Sequence, residues 1–152
     1  MLKLLQLSIF ALSLIISIPS YAETEPSYVG SKVCAQCHEQ QYNNFKKHSK
    51  KATSWESISV MKPKLKDFEL KQCYECHTTG FGKKGGFVSF ESTPQLAEVG
   101  CETCHGPGSV HADSSDIAQI KRRPSIEACT ACHNPQRIED FRFKPLIFSG
   151  AH

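Results

Sequence analysis

Eight cysteines and seven histidines carry most of the chemistry that this 152-residue chain could do. The cysteines fall into four pairs, each with a two-residue spacer and each followed at once by histidine. The sites are Cys34, Cys37 and His38; Cys73, Cys76 and His77; Cys101, Cys104 and His105; and Cys129, Cys132 and His133. This C-x-x-C-H spacing is the attachment pattern of a c-type haem. Each cysteine sulfur can add to one vinyl group of a porphyrin, and the histidine then stands under the iron as proximal ligand. Histidine would follow a random C-x-x-C about one time in twenty, so four out of four is not coincidence. The pattern predicts four covalently bound haem c groups and leaves no cysteine over.

Two other uses of paired cysteines fit less well. Four disulfides in an exported chain would give no reason for a histidine after every pair, and the short spacer would strain an internal bridge. Zinc ribbons use C-x-x-C pairs, but need neither the repeated histidine nor export.

Four of the seven histidines are proximal, so His48, His111 and His152 remain as distal candidates. At most three irons can then be bis-histidine, and the fourth takes methionine, another group, water or nothing. Met61 is the one methionine available once the first residues are removed. A distal histidine should come from a different segment than the proximal one, because the two nitrogens lie on opposite porphyrin faces. Such cross-ligation would tie the fold together much as disulfides do elsewhere.

The elements that must hold these sites are short. Met1 to Lys3 is a positive start, Leu4 to Ile18 is apolar, and Pro19 to Ala22 ends in small residues. Residues 1–22 read as a signal peptide cleaved after Ala22, too short to span a membrane. Residues 23–152 are then one tetrahaem domain, periplasmic or secreted, and no other segment could span a membrane. In that part 17 Lys and Arg stand against 15 Asp and Glu, and eight haem propionates would turn the holoprotein acidic. A basic surface for nucleic acid is therefore excluded.

Few large aliphatic residues follow Ala22, so the conventional core is small and the porphyrins supply much of the interior. The fold class predicted is mainly α with long loops, a haem-dominated core and little or no β. Ser31 is a candidate helix cap before the first site. Tyr42, Phe45, Ser49, Ala52 and Trp55 recur at three- and four-residue steps, as on one helix face, with Lys46, Lys47, Lys50 and Lys51 on the other. A loop and a short helix lead into Cys73. Phe87 to Phe90 is the one candidate strand. Thr93-Pro94 starts a helix that Gly100 stops. Gly106-Pro107-Gly108 turns the chain away from the third site, and Pro124 to Glu127 opens a helix into the fourth. Aromatic residues from Phe141 to Phe148 lead to His152. The first cysteines are spaced by 39, 28 and 28 residues, so no fixed structural unit repeats.

At this point the chain resembles the cytochrome c-554 family of small exported tetrahaem cytochromes. The resemblance rests on Tyr28-Val29-Gly30-Ser31, on His48-Ser49, on Cys73 through Phe81, and above all on Val99 through Gly108 with His111. It implies a mostly α-helical fold, closely stacked haems and electron transfer. It also implies three bis-histidine irons and one without a sixth protein ligand. Carried over, the open iron is that of the second site, held by His77, where Met61 lies near enough in sequence to close it.

Two functions follow. One is a carrier that passes electrons between redox partner proteins through packed haems, with a homo-oligomer or a haem filament as its assembled form. The alternative is a reductase of nitric oxide, hydroxylamine or a similar small molecule at the open iron. No acid–base group beside that iron is evident beyond Glu75 and Lys71, so the sequence favours the carrier, with no catalytic residue named.

Overall fold

The structure, a computed structural model, describes residues 25–135. The expected signal segment 1–22, the aromatic tail and His152 lie outside the described residues. The chain forms seven short helices joined by loops and single 3-10 turns, and the described residues contain no strand. They are α1 (Ser31–Cys34), α2 (Glu39–His48), α3 (Ser54–Met61), α4 (Asp67–His77), α5 (Cys101–His105), α6 (Ser109–Ser114) and α7 (Ile126–Thr130). None of these helices is long and apolar enough to cross a membrane.

The helices are placed by the cysteine sites. α1 ends on Cys34, α4 ends on His77, α5 is the third site itself and α7 carries Cys129. Helical geometry brings cysteines three apart to one face, where both can reach one flat ligand. α4 begins with Asp67 and Glu69 in its first turn, which complements the helix dipole, and Glu69 accepts a 2.8 Å hydrogen bond from the Lys66 N–H.

The face from Tyr42 to Trp55 is not one helix. Ser49 adopts an extended conformation (φ −94°, ψ 121°), which ends α2 before a 3-10 turn at Lys50–Thr53. Phe45, Ser49 and Ala52 are nonetheless all buried, so the periodicity marked the inward side correctly across the break.

Three local expectations are corrected. No strand forms at 87–90: the Phe87 N–H donates to the Thr79 carbonyl (2.9 Å), and the Val88 N–H donates to the Thr93 hydroxyl (2.9 Å). Local hydroxyls from Ser89, Ser92 and Thr93 replace a partner strand. Ser31 does not cap its own helix; Gly30, at φ 87°, stands at that position. The Ser31 hydroxyl instead accepts from the Cys101 N–H at 3.0 Å, satisfying the first amide of α5. Gly100 precedes α5 rather than stopping a helix, since Pro94–Leu96 is only a 3-10 turn.

The apolar core is small, as the composition predicts. Ile58, Tyr74, Phe87, Leu96 and Ala97 form it, with Tyr28, Trp55, Leu70 and Phe81 packed around. Trp55 lies parallel to Phe90 (centroids 5.0 Å apart, 18°), and Phe87 meets Tyr74 edge-on (5.0 Å, 75°). Tyr74 sits between Cys73 and Cys76, so this cluster backs the second site.

Candidate cofactor sites

Seven of the eight cysteines are half-buried, and Cys37 is exposed. The pairs are close enough to one another to interact across sites. Cys34 lies beside Cys101, and their interaction lowers the Cys101 thiol and raises that of Cys34. Burial raises the Cys104 thiol, and so does the nearby Cys129. The attachment segments of the first and third sites, and of the third and fourth, therefore lie side by side.

The histidines show how iron would be held. His105 Nδ1 donates to the Lys121 carbonyl at 2.7 Å, His111 Nδ1 to the Asp116 carbonyl at 2.9 Å, and His77 Nδ1 to the Ser54 carbonyl at 3.3 Å. A carbonyl can only accept, so each Nδ1 carries the proton and each Nε2 presents a lone pair. That is the tautomer a metal-binding imidazole needs.

His38 and His111 form a pair across space. Their ring centres are 6.3 Å apart and their planes differ by 18°. Two metal–imidazole bonds of about 2 Å, plus about 1 Å from each nitrogen to its ring centre, put such centres about 6 Å apart. The donor set therefore fits an iron with two axial imidazoles.

His48 ends α2 with an exposed side chain. Three residues on, the charge of Lys51 acts on both Cys104 and His133, so this segment runs past the fourth site. Burial lowers the His133 imidazole first and Lys51 lowers it further. Met61 ends α3 with its side chain 49% exposed. Glu75 and Lys71 are exposed on α4.

The residues behind the second site were not visible in the sequence. The Ser54 hydroxyl donates to the His77 carbonyl (2.8 Å) and accepts from the Val99 N–H (2.9 Å). Glu98 lies 3.1 Å from that hydroxyl and accepts from the Trp55 N–H at 2.8 Å. Glu98 is half-buried, whereas Glu102 is buried, and a glutamate inside a cysteine pair beside Gly106-Pro107-Gly108 was its only signal.

Cysteine pairs on short helical turns, each followed by a histidine, define a multihaem c-type cytochrome that binds haem covalently. The family described as cytochrome c554 and c-prime matches residues 33–106. Cytochrome c-554 of Nitrosomonas europaea is 38% identical over 135 residues, covering 70% of this chain and 57% of that relative. The structure is similar to that of reduced cytochrome c554 from Nitrosomonas europaea, with a TM-score of 0.60 and 27% identity over 80% of this chain and 82% of that one. The chain belongs to the cytochrome c554 family. It spans a little over half the length of the curated relative it matches.

Proposed function

We propose that this protein is an exported tetrahaem electron carrier, one domain of residues 23–152, working in the periplasm or outside the cell. Bound haem supplies a one-electron iron couple and a wide conjugated edge through which electrons pass. The chain supplies attachment, axial ligands and spacing. Cys34, Cys37, Cys73, Cys76, Cys101, Cys104, Cys129 and Cys132 form the thioethers. His38, His77, His105 and His133 are proximal.

His111 would join His38 in holding the iron at the first site; the 6.3 Å separation of its ring centre from that of His38 is the observation that carries the reading. His48 serves the fourth site, as the reach of Lys51 to His133 supports. The second site, backed by Trp55 and Tyr74, would hold its iron through His77 with no second histidine. The adjacency of Cys34 to Cys101 and of Cys104 to Cys129 supports an electron path running from the first site through the third to the fourth.

Redox partners are proteins that dock near an exposed attachment edge. The exposed Lys46, Lys47 and Lys50 suit an acidic partner surface. The test is a haem count: intact mass and a pyridine haemochrome assay on the exported protein should give four haems per chain. Fewer than four refutes the assignment. Reduced protein should then pass electrons to an added acceptor without consuming nitric oxide or hydroxylamine.

A further inference from the structure

Glu102 is 2% exposed, yet its carboxylate meets no cation among the described residues. Backbone amides surround it instead. The Val29 N–H reaches its two oxygens at 3.0 and 3.1 Å, the Gly30 N–H donates at 2.7 Å and the Gly108 N–H at 2.8 Å. Every partner is a backbone donor, and the two carboxylate oxygens accept from all three amides. A Cβ at Gly108 would lie 3.2 Å from Oε1, so the close approach is suited to glycine. The cradle joins two segments far apart in sequence, 29–30 and 102–108, and nothing in it neutralises the charge with a full positive one.

The location gives this charge a consequence. Glu102 lies between Cys101 and Cys104, and its field reaches Cys34 and Cys101, the adjoining thiols of the first and third sites. A ferric haem carries one more positive charge than its ferrous form. A fixed anion beside it favours the ferric state, and burial weakens the screening that would blunt the effect at a surface.

We propose that Glu102 is a built-in buried anion that holds down the reduction potentials of the haems attached at Cys34/Cys37 and Cys101/Cys104. This rests on the tetrahaem reading. The reaction it biases is uptake of one electron per iron from a reductant such as dithionite, ferric to ferrous. Glu102 touches no reacting atom and is a positioning residue for the potential, not a catalytic one.

The experiment is a spectroelectrochemical titration of the haem-loaded, exported protein as wild type, Glu102→Gln and Glu102→Asp. In Glu102→Gln, the reduction equilibrium of two haems should shift at least tenfold toward ferrous, 59 mV for a one-electron couple. In Glu102→Asp, which keeps the charge but disturbs the cradle, the shift should stay below threefold. A Glu102→Gln protein with no haem shifted tenfold overturns the proposal. So does a Glu102→Asp protein shifted as far as Glu102→Gln, because geometry rather than charge would then be responsible. Should Glu102→Gln fail to mature, Glu102→Asp decides alone: potentials unmoved by a damaged cradle support the charge, and a tenfold shift refutes it. A wild-type mass lacking haem at these two sites would overturn the tetrahaem reading itself, a result distinct from unshifted potentials in a four-haem protein.

Discussion

Replacing His111 with alanine should open one iron that the wild type keeps closed. The separation of the His38 and His111 ring centres, 6.3 Å, leaves room for one metal ion and two bonds. Alanine removes a whole imidazole, so no part of residue 111 reaches the metal and a small ligand can enter. The size of the effect follows from the ligand inventory. Seven histidines leave one of four irons open in the wild type, and the variant has two. Ferrous protein titrated with carbon monoxide should bind two equivalents per chain instead of one, and the high-spin ferric signal should double. Fold loss is controlled by His111→Met, since a thioether can still ligate; that variant should return to one equivalent. A His111→Ala protein with four attached haems that still binds one equivalent would refute the pairing. An unchanged low-spin spectrum would do the same.

Ser54→Ala should destabilise the holoprotein by about 1–3 kcal/mol, because the buried Val99 N–H loses its acceptor; urea unfolding followed by Trp55 fluorescence measures this. Gly86→Ala should cost about 2–3 kcal/mol or prevent maturation, since a Cβ at Gly86 would overlap the Gly80 carbonyl. The Tyr28 phenol is raised above its usual 10 by burial and then by Glu102. Stability from Tyr28 is thus fully present below pH 10 and is lost as pH rises through the folded value. Ultraviolet titration should find two late phenols in the wild type, Tyr28 and Tyr74, and Glu102→Gln should bring only that of Tyr28 earlier.

The cysteine–histidine sites and the helical class were legible because both depend on short-range spacing. The buried side from Phe45 to Trp55 was legible for the same reason, although the extended Ser49 was not. What the sequence hid are contacts between distant segments. Ser31 reads as a local cap, yet its hydroxyl serves Cys101, seventy residues away. Phe87 to Phe90 has the composition of a strand, but a strand needs a partner, and nearby hydroxyls supplied the hydrogen bonds first. His111 stood out as a free imidazole, and only the folded chain brings it to His38. Glu102 looked like an ordinary polar spacer until three amides closed over it.

The tethers on His77, His105 and His111 end on main-chain oxygens of Ser54, Lys121 and Asp116. Every amino acid brings such an oxygen, whatever its side chain. At Asp116 and Lys121 the surface can drift in charge and shape while the imidazoles stay aimed. A lineage could thereby exchange one docking partner for another without retuning the metal centres beneath.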